Sequence, residues 1–205
     1  MAVLALILFG TYVAVTFGLR TWLQIRRTGN SGFRGLSGRP GSIEWWGGVL
    51  FIAALVAAVG GPLADLVGWG TIDALDTSWL HVLGLVLTLA GIVGTFAAQL
   101  SMGASWRVGV DADERTELVT DGAFALVRNP IFTAMGVTGA GLVLLVPNAI
   151  AVAGLGMLLV ALEMQVRLVE EPYLRRVHGA RWDDYVRRVG RFVPKRAQLR
   201  IATRD

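Results

Sequence analysis

The side chains with the most chemical potential flank one turn late in the chain. Arg128 and Asn129 precede Pro130, and Glu163, Arg167, Glu170 and Glu171 come after a long apolar run. Arg128 stands as far before Pro147 as Arg167 stands after Asn148. Two antiparallel helices joined at Pro147-Asn148 would therefore bring both guanidinium groups to one depth. Glu163, Arg167 and Glu170 or Glu171 recur at helical spacing and would share one face. Such a cluster can bind and orient a charged substrate; a structural ion-pair network stapling the hairpin is the competing expectation. Other chemistries are excluded at once. There is no cysteine, so thiol nucleophiles, disulfides and cysteine metal sites are absent. The two histidines, His81 and His178, lie far apart, and no metal site is expected.

The elements that carry these residues are apolar. Hydrophobic residues make up 54% of the 205 and charged residues 17%, well below the roughly 25% charged of an average soluble domain. A bilayer core takes about 20 apolar residues in a helix. Residues 1–19, 43–66 and 79–102 each meet that length, the first being a retained span rather than a cleaved signal. Residues 131–146 and 149–162 are shorter and become spans only if they extend through Arg128 and Glu163. The expectation is an all-α integral membrane bundle of five transmembrane helices with cytoplasmic amphipathic helices at the C-terminus. Residues 1–102 would hold the N-terminal spans and residues 103–205 the catalytic region.

Five spans put residues 20–42, 103–130 and 163–205 on one side. Those segments contain all 19 basic residues, 18 of them arginine, and the opposite loops carry Asp73 and Asp76. The excess of positive charge places that side in the cytoplasm, with the N-terminus outside. The basic balance thus signals a membrane face, not nucleic acid. Trp45, Trp46, Trp69 and Trp79 fall at span ends as interfacial anchors. Ala90, Gly94 and Ala98 form one small-residue row, and Gly136 with Ala140 another, for close helix packing. Residues 28–41 form a flexible inner loop. Pro130 suits the first turn of its helix, whose free N–H groups would hold a carboxylate. A last amphipathic helix carries Trp182, Tyr185, Val186 and Val189 on one face, suited to the inner leaflet or to a lid.

Four short motifs occur in order. They are Leu118-Val119-Thr120-Asp121-Gly122-Ala123-Phe124, Arg128-Asn129-Pro130-Ile131-Phe132, Glu170-Glu171-Pro172-Tyr173-Leu174, and His178-Gly179-Ala180-Arg181-Trp182-Asp183-Asp184-Tyr185. In order and spacing over residues 100–194 they resemble the isoprenylcysteine carboxyl methyltransferase family, which reads L-V-x-x-G-x-Y, R-H-P-x-Y, E-E-x-x-L and F-G-x-x-Y-x-x-Y. The resemblance implies an integral membrane methyltransferase using S-adenosylmethionine. It implies that Thr116, Glu117, Leu118, Val119 and Gly122 line the adenosine side with Phe124. Asn129, Ile131 and Phe132 would line the amino-acid side, and Glu170 would meet the cofactor's positive charge. Arg167 falls one residue from the position of a substrate-contacting arginine. Asn129 replaces the family histidine and Phe132 a tyrosine, so the pocket keeps its shape with fewer polar handles.

The chemistry implied is an in-line displacement. A carboxylate acceptor is ionised at neutral pH and needs no base, so alignment carries the reaction and can supply on the order of 7–11 kcal/mol. The acceptor is expected to be an isoprenylated or other lipid-like molecule at the cytoplasmic face, its anionic group met by Arg128 or Arg167. A lipid amine N-methyltransferase is the alternative, with Glu163 or Glu171 as base. An NADPH-dependent, sterol-reductase-like enzyme would need a basic cofactor loop, and residues 109–124 are acidic. A non-catalytic relative is allowed by Asn129 and Phe132.

Overall fold

The computed structural model describes residues 1–32, 38–103 and 117–195. The expected adenosine-side residue Thr116 lies outside them. Among the described residues the architecture is all-helical, with two isolated bridges and no strand.

Helix α1, Ala2–Thr28, does not stop at Arg20. Arg20 is fully buried and donates to Gln24 Oε1 at 3.0 Å and to the Gly103 carbonyl at 2.7 Å. A charge ends an apolar helix only where nothing nearby can satisfy it, and here both partners are in reach. A π-turn over Ala14–Leu19 interrupts α1, and Gly29, at φ +72°, ends it. Helix α2, Ile43–Leu66, starts at Ser42, whose hydroxyl accepts from the Trp45 N–H, with Glu44 in the first turn where a negative charge is favoured. Helix α3 is Ser78–Ser101. A short helix, α4 (Ala123–Leu126), precedes α5, Pro130–Leu145. Asn148 then caps α6, Ala149–His178, by accepting from Ala151 N–H, while its amide donates to the Gly61 carbonyl. Helix α7 is Ala180–Arg188.

Among the described residues four helices, α1, α2, α3 and α6, are long and apolar enough to cross a membrane. Helix α5 is not. Its 16 residues rise about 24 Å, short of the roughly 30 Å hydrocarbon core. The expected extension through Arg128 fails because residues 127–129 are extended and paired with the chain near Gly190. The extension of α6 through Glu163 does occur. Many large apolar side chains, among them Ile7, Val56, Val82 and Val93, are exposed on the helices, as lipid-facing surface requires. The chain is a multi-pass membrane protein.

Two helix pairs dominate the packing, α3 with α5 and α2 with α6. In the first, Gly84, Thr88 and Gly91 face Gly141 and Thr138 so closely that a Cβ on Gly91 or Gly141 would collide with the opposite backbone. Of the expected row, Gly94 meets Ala134 and Ala98 is buried, while Ala90 is exposed. In the second pair, Gly61 meets Ala151 and Gly154 meets Ala57. Small residues let the backbones approach and replace hydrophobic driving force with dense contact. The core where α1, α3, α5 and α6 meet contains Leu8, Tyr12, Ile92, Met135 and Leu162.

Candidate functional site

The site lies at the end of the bundle where α5 begins. Pro130 has no N–H and starts α5 at its first position. Just before it, the extended chain is strapped by residues 190–192. Arg128 N–H donates to the Gly190 carbonyl at 2.8 Å, and both the N–H and the side-chain amide of Asn129 donate to the Arg191 carbonyl. Thr133 Oγ1 donates to the Phe192 carbonyl at 3.0 Å. Gly190 has no room for a side chain, since a Cβ there would overlap the Val193 carbonyl.

Under this strap lies a knot of three charges. Arg128 is buried and donates to Glu171 Oε1 at 2.9 Å and to the Val186 and Val189 carbonyls. Arg191 clasps the same carboxylate with two bonds of 2.8 Å. The bidentate Glu171 bond holds the Arg191 guanidinium above its ordinary pKa. The Arg128 guanidinium also lies 5.7 Å from the Trp182 ring centre. Its Nε–H is buried with no partner among the described residues.

Helix α7 closes the knot. Trp182, Tyr185 and Val189 are buried against Leu118, Leu174 and Val186. The expected amphipathic face thus packs inside the protein. The Tyr185 hydroxyl donates to the Phe124 carbonyl at 2.6 Å, and burial pushes its pKa up to about 12.

Beside the knot opens a cavity of about 270 Å³. Glu117, Leu118, Val119, Phe124, Asn129, Ile131, Phe132 and Glu170 line it, and Arg128 forms part of the wall. Gly122 does not. It turns the chain into α4 at φ +55°, a conformation open mainly to glycine. Arg167 and Glu171 are also outside the lining. Arg167 is exposed and pairs with Glu163 one turn earlier, and Glu171 is held in the knot. Of the residues expected to share a helix face, Glu163, Arg167 and Glu171 stay linked, through the Glu163–Arg167 pair and through Arg191, which reaches both Glu163 and Glu171, while Glu170 turns to the cavity where α6 makes a π-turn over Gln165–Glu170. A turn with i→i+5 bonding takes up an extra residue and so rotates the rest of the helix about its axis.

The first three helices also contribute, which their apolar composition did not announce. Glu44, Gly47 and Phe51 of α2, Tyr12 and Phe17 of α1, and Gln99 of α3 complete the wall. Glu44 and Gln99 were legible as polar residues near the inner ends of apolar spans. Arg191 was not, because its role depends on a partner twenty positions away. The described lining thus holds three carboxylates, Glu44, Glu117 and Glu170, against Arg128, whose charge is already balanced by Glu171.

The arrangement can hold an amphipathic cation. The carboxylates suit positive charge. The first-turn N–H groups of Ile131 and Phe132, which have no partner within the helix by position, suit a carboxylate. The aromatic and aliphatic wall suits a flat heterocycle. A family model described as phospholipid methyltransferase matches residues 79–181, half of the chain. No curated protein matches the chain.

Proposed function

On the premise that the chain belongs to the phospholipid methyltransferase family, we propose that it methylates a lipid-like acceptor from S-adenosylmethionine held in the cavity beside α5. The observation that carries this reading is the lining itself: carboxylates, helix-start amides and an aromatic wall around about 270 Å³. That is close to the lower end of small-molecule sites, roughly 300–1,000 Å³. When bound, S-adenosylmethionine supplies an electrophilic methyl group and leaves as a neutral thioether.

The chain's own residues do the rest. Glu170 and Glu117 offer negative charge to the cofactor's ammonium and sulfonium. Ile131 and Phe132 N–H groups, with the buried Arg128 Nε–H, offer donors to its carboxylate. Leu118, Val119 and Phe124 cover the adenine side, and Trp182 and Tyr185 exclude water from above. Arg128 and Glu171 position these elements through the knot. Alignment in a dry pocket is the main catalytic contribution, on the order of 7–11 kcal/mol.

Between the two acceptor classes the lining favours an amine. Three carboxylates attract a cationic head and repel an anionic one. A primary amine must lose a proton before it attacks, and a lining carboxylate such as Glu117 can take it. The carboxylate reading would need the Arg128 Nε–H to serve the acceptor in place of the cofactor. The basic residues gathered at the site end support a cytoplasmic location for the site.

The test is methyl transfer from radiolabelled S-adenosylmethionine to a total lipid extract by the detergent-purified protein. Label that survives mild alkali marks N-methylation, the expected outcome. Label released as methanol marks a methyl ester and reverses the acceptor assignment. No transfer to any lipid contradicts the methyltransferase reading in this extract.

A further inference from the structure

Helix α1 lies outside the stretch that the family model matches, yet it buries a polar stripe against the end of α3. Tyr12, Thr16, Arg20 and Gln24 are each at most 4% exposed and recur at a spacing of four. In a regular α-helix that spacing drifts by about 40° per step, so the stripe would leave the buried face by Gln24. The π-turn over Ala14–Leu19 takes up an extra residue and keeps the stripe on that face. Three of the four meet α3 or its exit. The Tyr12 hydroxyl meets the side chains of Thr16 and Thr95. Gln99 Nε2 donates to the Thr16 carbonyl at 3.0 Å. Arg20 Nη2 donates to the Gly103 carbonyl at 2.7 Å, while Nη1 donates to Gln24 Oε1 at 3.0 Å.

Gly103 is where the chain leaves α3. Its φ of +56° suits glycine, and its carbonyl is turned onto the buried guanidinium. Two residues earlier, Ser101 packs against Gly122 at the start of α4. The stretch between Gly103 and Gly122 therefore leaves and rejoins the same end of α3. The cavity wall is built around these contacts: Phe17 from the π-turn, Gln99 and Met102 from the end of α3, and Leu118, Val119 and Phe124 beyond it. A guanidinium inside a membrane span is costly and persists where an apolar residue cannot replace it. A methionine could fill this space but could not hold a carbonyl. We propose that Arg20 is a positioning residue for the cavity. Through the Gly103 carbonyl it fixes the exit of α3 against the π-turn of α1, and so holds Phe17 and Met102 in the same wall as Leu118 and Phe124. Arg20 itself is not part of the lining. The inference rests on the methyltransferase reading for the identity of the ligand, but the clamp has a readout that needs no ligand.

The experiment compares the full chain with Arg20→Met and Arg20→Lys in detergent. Amide hydrogen exchange is followed at residues 99–103 and 118–126, with residues 80–88 at the outer end of α3 as reference. Arg20→Met puts an apolar side chain at membrane depth, and apolar replacement of a buried charge is often neutral for stability, so the melting temperature should change little. Exchange at 99–103 and 118–126 is expected to quicken by about tenfold, with the reference unchanged. Affinity for S-adenosylhomocysteine should fall by about tenfold as well, within what one hydrogen bond from a charged group supplies. Arg20→Lys keeps a donor but cannot reproduce the fork, and should fall between the other two on both scales. Exchange that is unchanged, or that quickens equally along all of α3, overturns the proposal. So does a lysine variant no better than the methionine one, and so does a folding failure of Arg20→Met with no local quickening in Arg20→Lys, since Arg20 would then only pack. Local quickening in a chain that does not bind S-adenosylhomocysteine would retain the clamp and remove the methyltransferase reading instead.

Discussion

Two polar regions border the cavity, one densely paired and one sparsely. In the knot, Glu171 is shared by Arg128 and Arg191, and two backbone carbonyls take further guanidinium protons. In the wall from α3, Gln99 keeps its amide oxygen without a hydrogen-bond partner among the described residues. Buried groups shared among several partners fix geometry, and those left open, the Arg128 Nε–H among them, can meet a ligand. The difference separates residues that hold the site from residues that are available to bind.

The comparison is broken most directly at Glu171. Glu171→Ala leaves Arg128 buried and charged with its anion gone, and removal of one partner of such a pair costs about 3–5 kcal/mol. Thermal unfolding in detergent should show a large drop, with loss of expression as the extreme. A stable Glu171→Ala protein impaired only in turnover would make Glu171 a catalytic base instead.

The seam beneath both regions is the next test. Gly141→Ala places a Cβ against Thr88 and the Gly84 carbonyl, and overpacking of this kind costs about 1–3 kcal/mol. The same melting assay should register it, while Gly156→Ala, which meets open space, should not.

The lid of the knot gives a smaller effect with a pH signature. Tyr185→Phe removes one bond to the Phe124 carbonyl, about 1 kcal/mol. The folded pKa near 12 lies above the ordinary value of about 10. The contribution of the neutral phenol is therefore complete below about pH 10 and is lost as pH rises through about 12. Alkaline unfolding midpoints should show this loss in the unmodified chain and a shallower slope in Tyr185→Phe.

The smallest effect is expected at Arg167. It is exposed and paired to Glu163, and surface pairs contribute about 0–1 kcal/mol. Arg167→Ala should leave stability and ligand binding nearly unchanged. A raised acceptor KM with unchanged cofactor affinity would move Arg167 into the acceptor site.

Much of the frame was legible in the sequence because a bilayer allows few solutions. Long apolar runs, the Pro147-Asn148 turn and Pro130 at a helix start each obey one local rule. The errors fall where distant partners override local rules. Arg20 reads as a stop until the Gly103 carbonyl and Gln24 satisfy it. Helix α5 reads as extensible until Gly190 claims the backbone of Arg128. Glu163, Arg167 and Glu170 or Glu171 read as one face, and it is Glu171 that stays with Glu163, through Arg191, while Glu170 lines the cavity. The cavity lining drawn from the four motifs, Glu117 to Glu170, comes together around one space, because those segments all end at the same end of the bundle. Its other half, from Tyr12, Glu44 and Gln99, required the packing of α1, α2 and α3 to be known.

The most direct measurement is calorimetric titration of S-adenosylhomocysteine into the purified chain and into Glu170→Ala, with NADPH as a control. Binding in the micromolar range that weakens by about tenfold or more in Glu170→Ala, with no response to NADPH, is the expected result. Absence of binding by the sulfur compound, or unchanged affinity in Glu170→Ala, would contradict the assignment of the cavity.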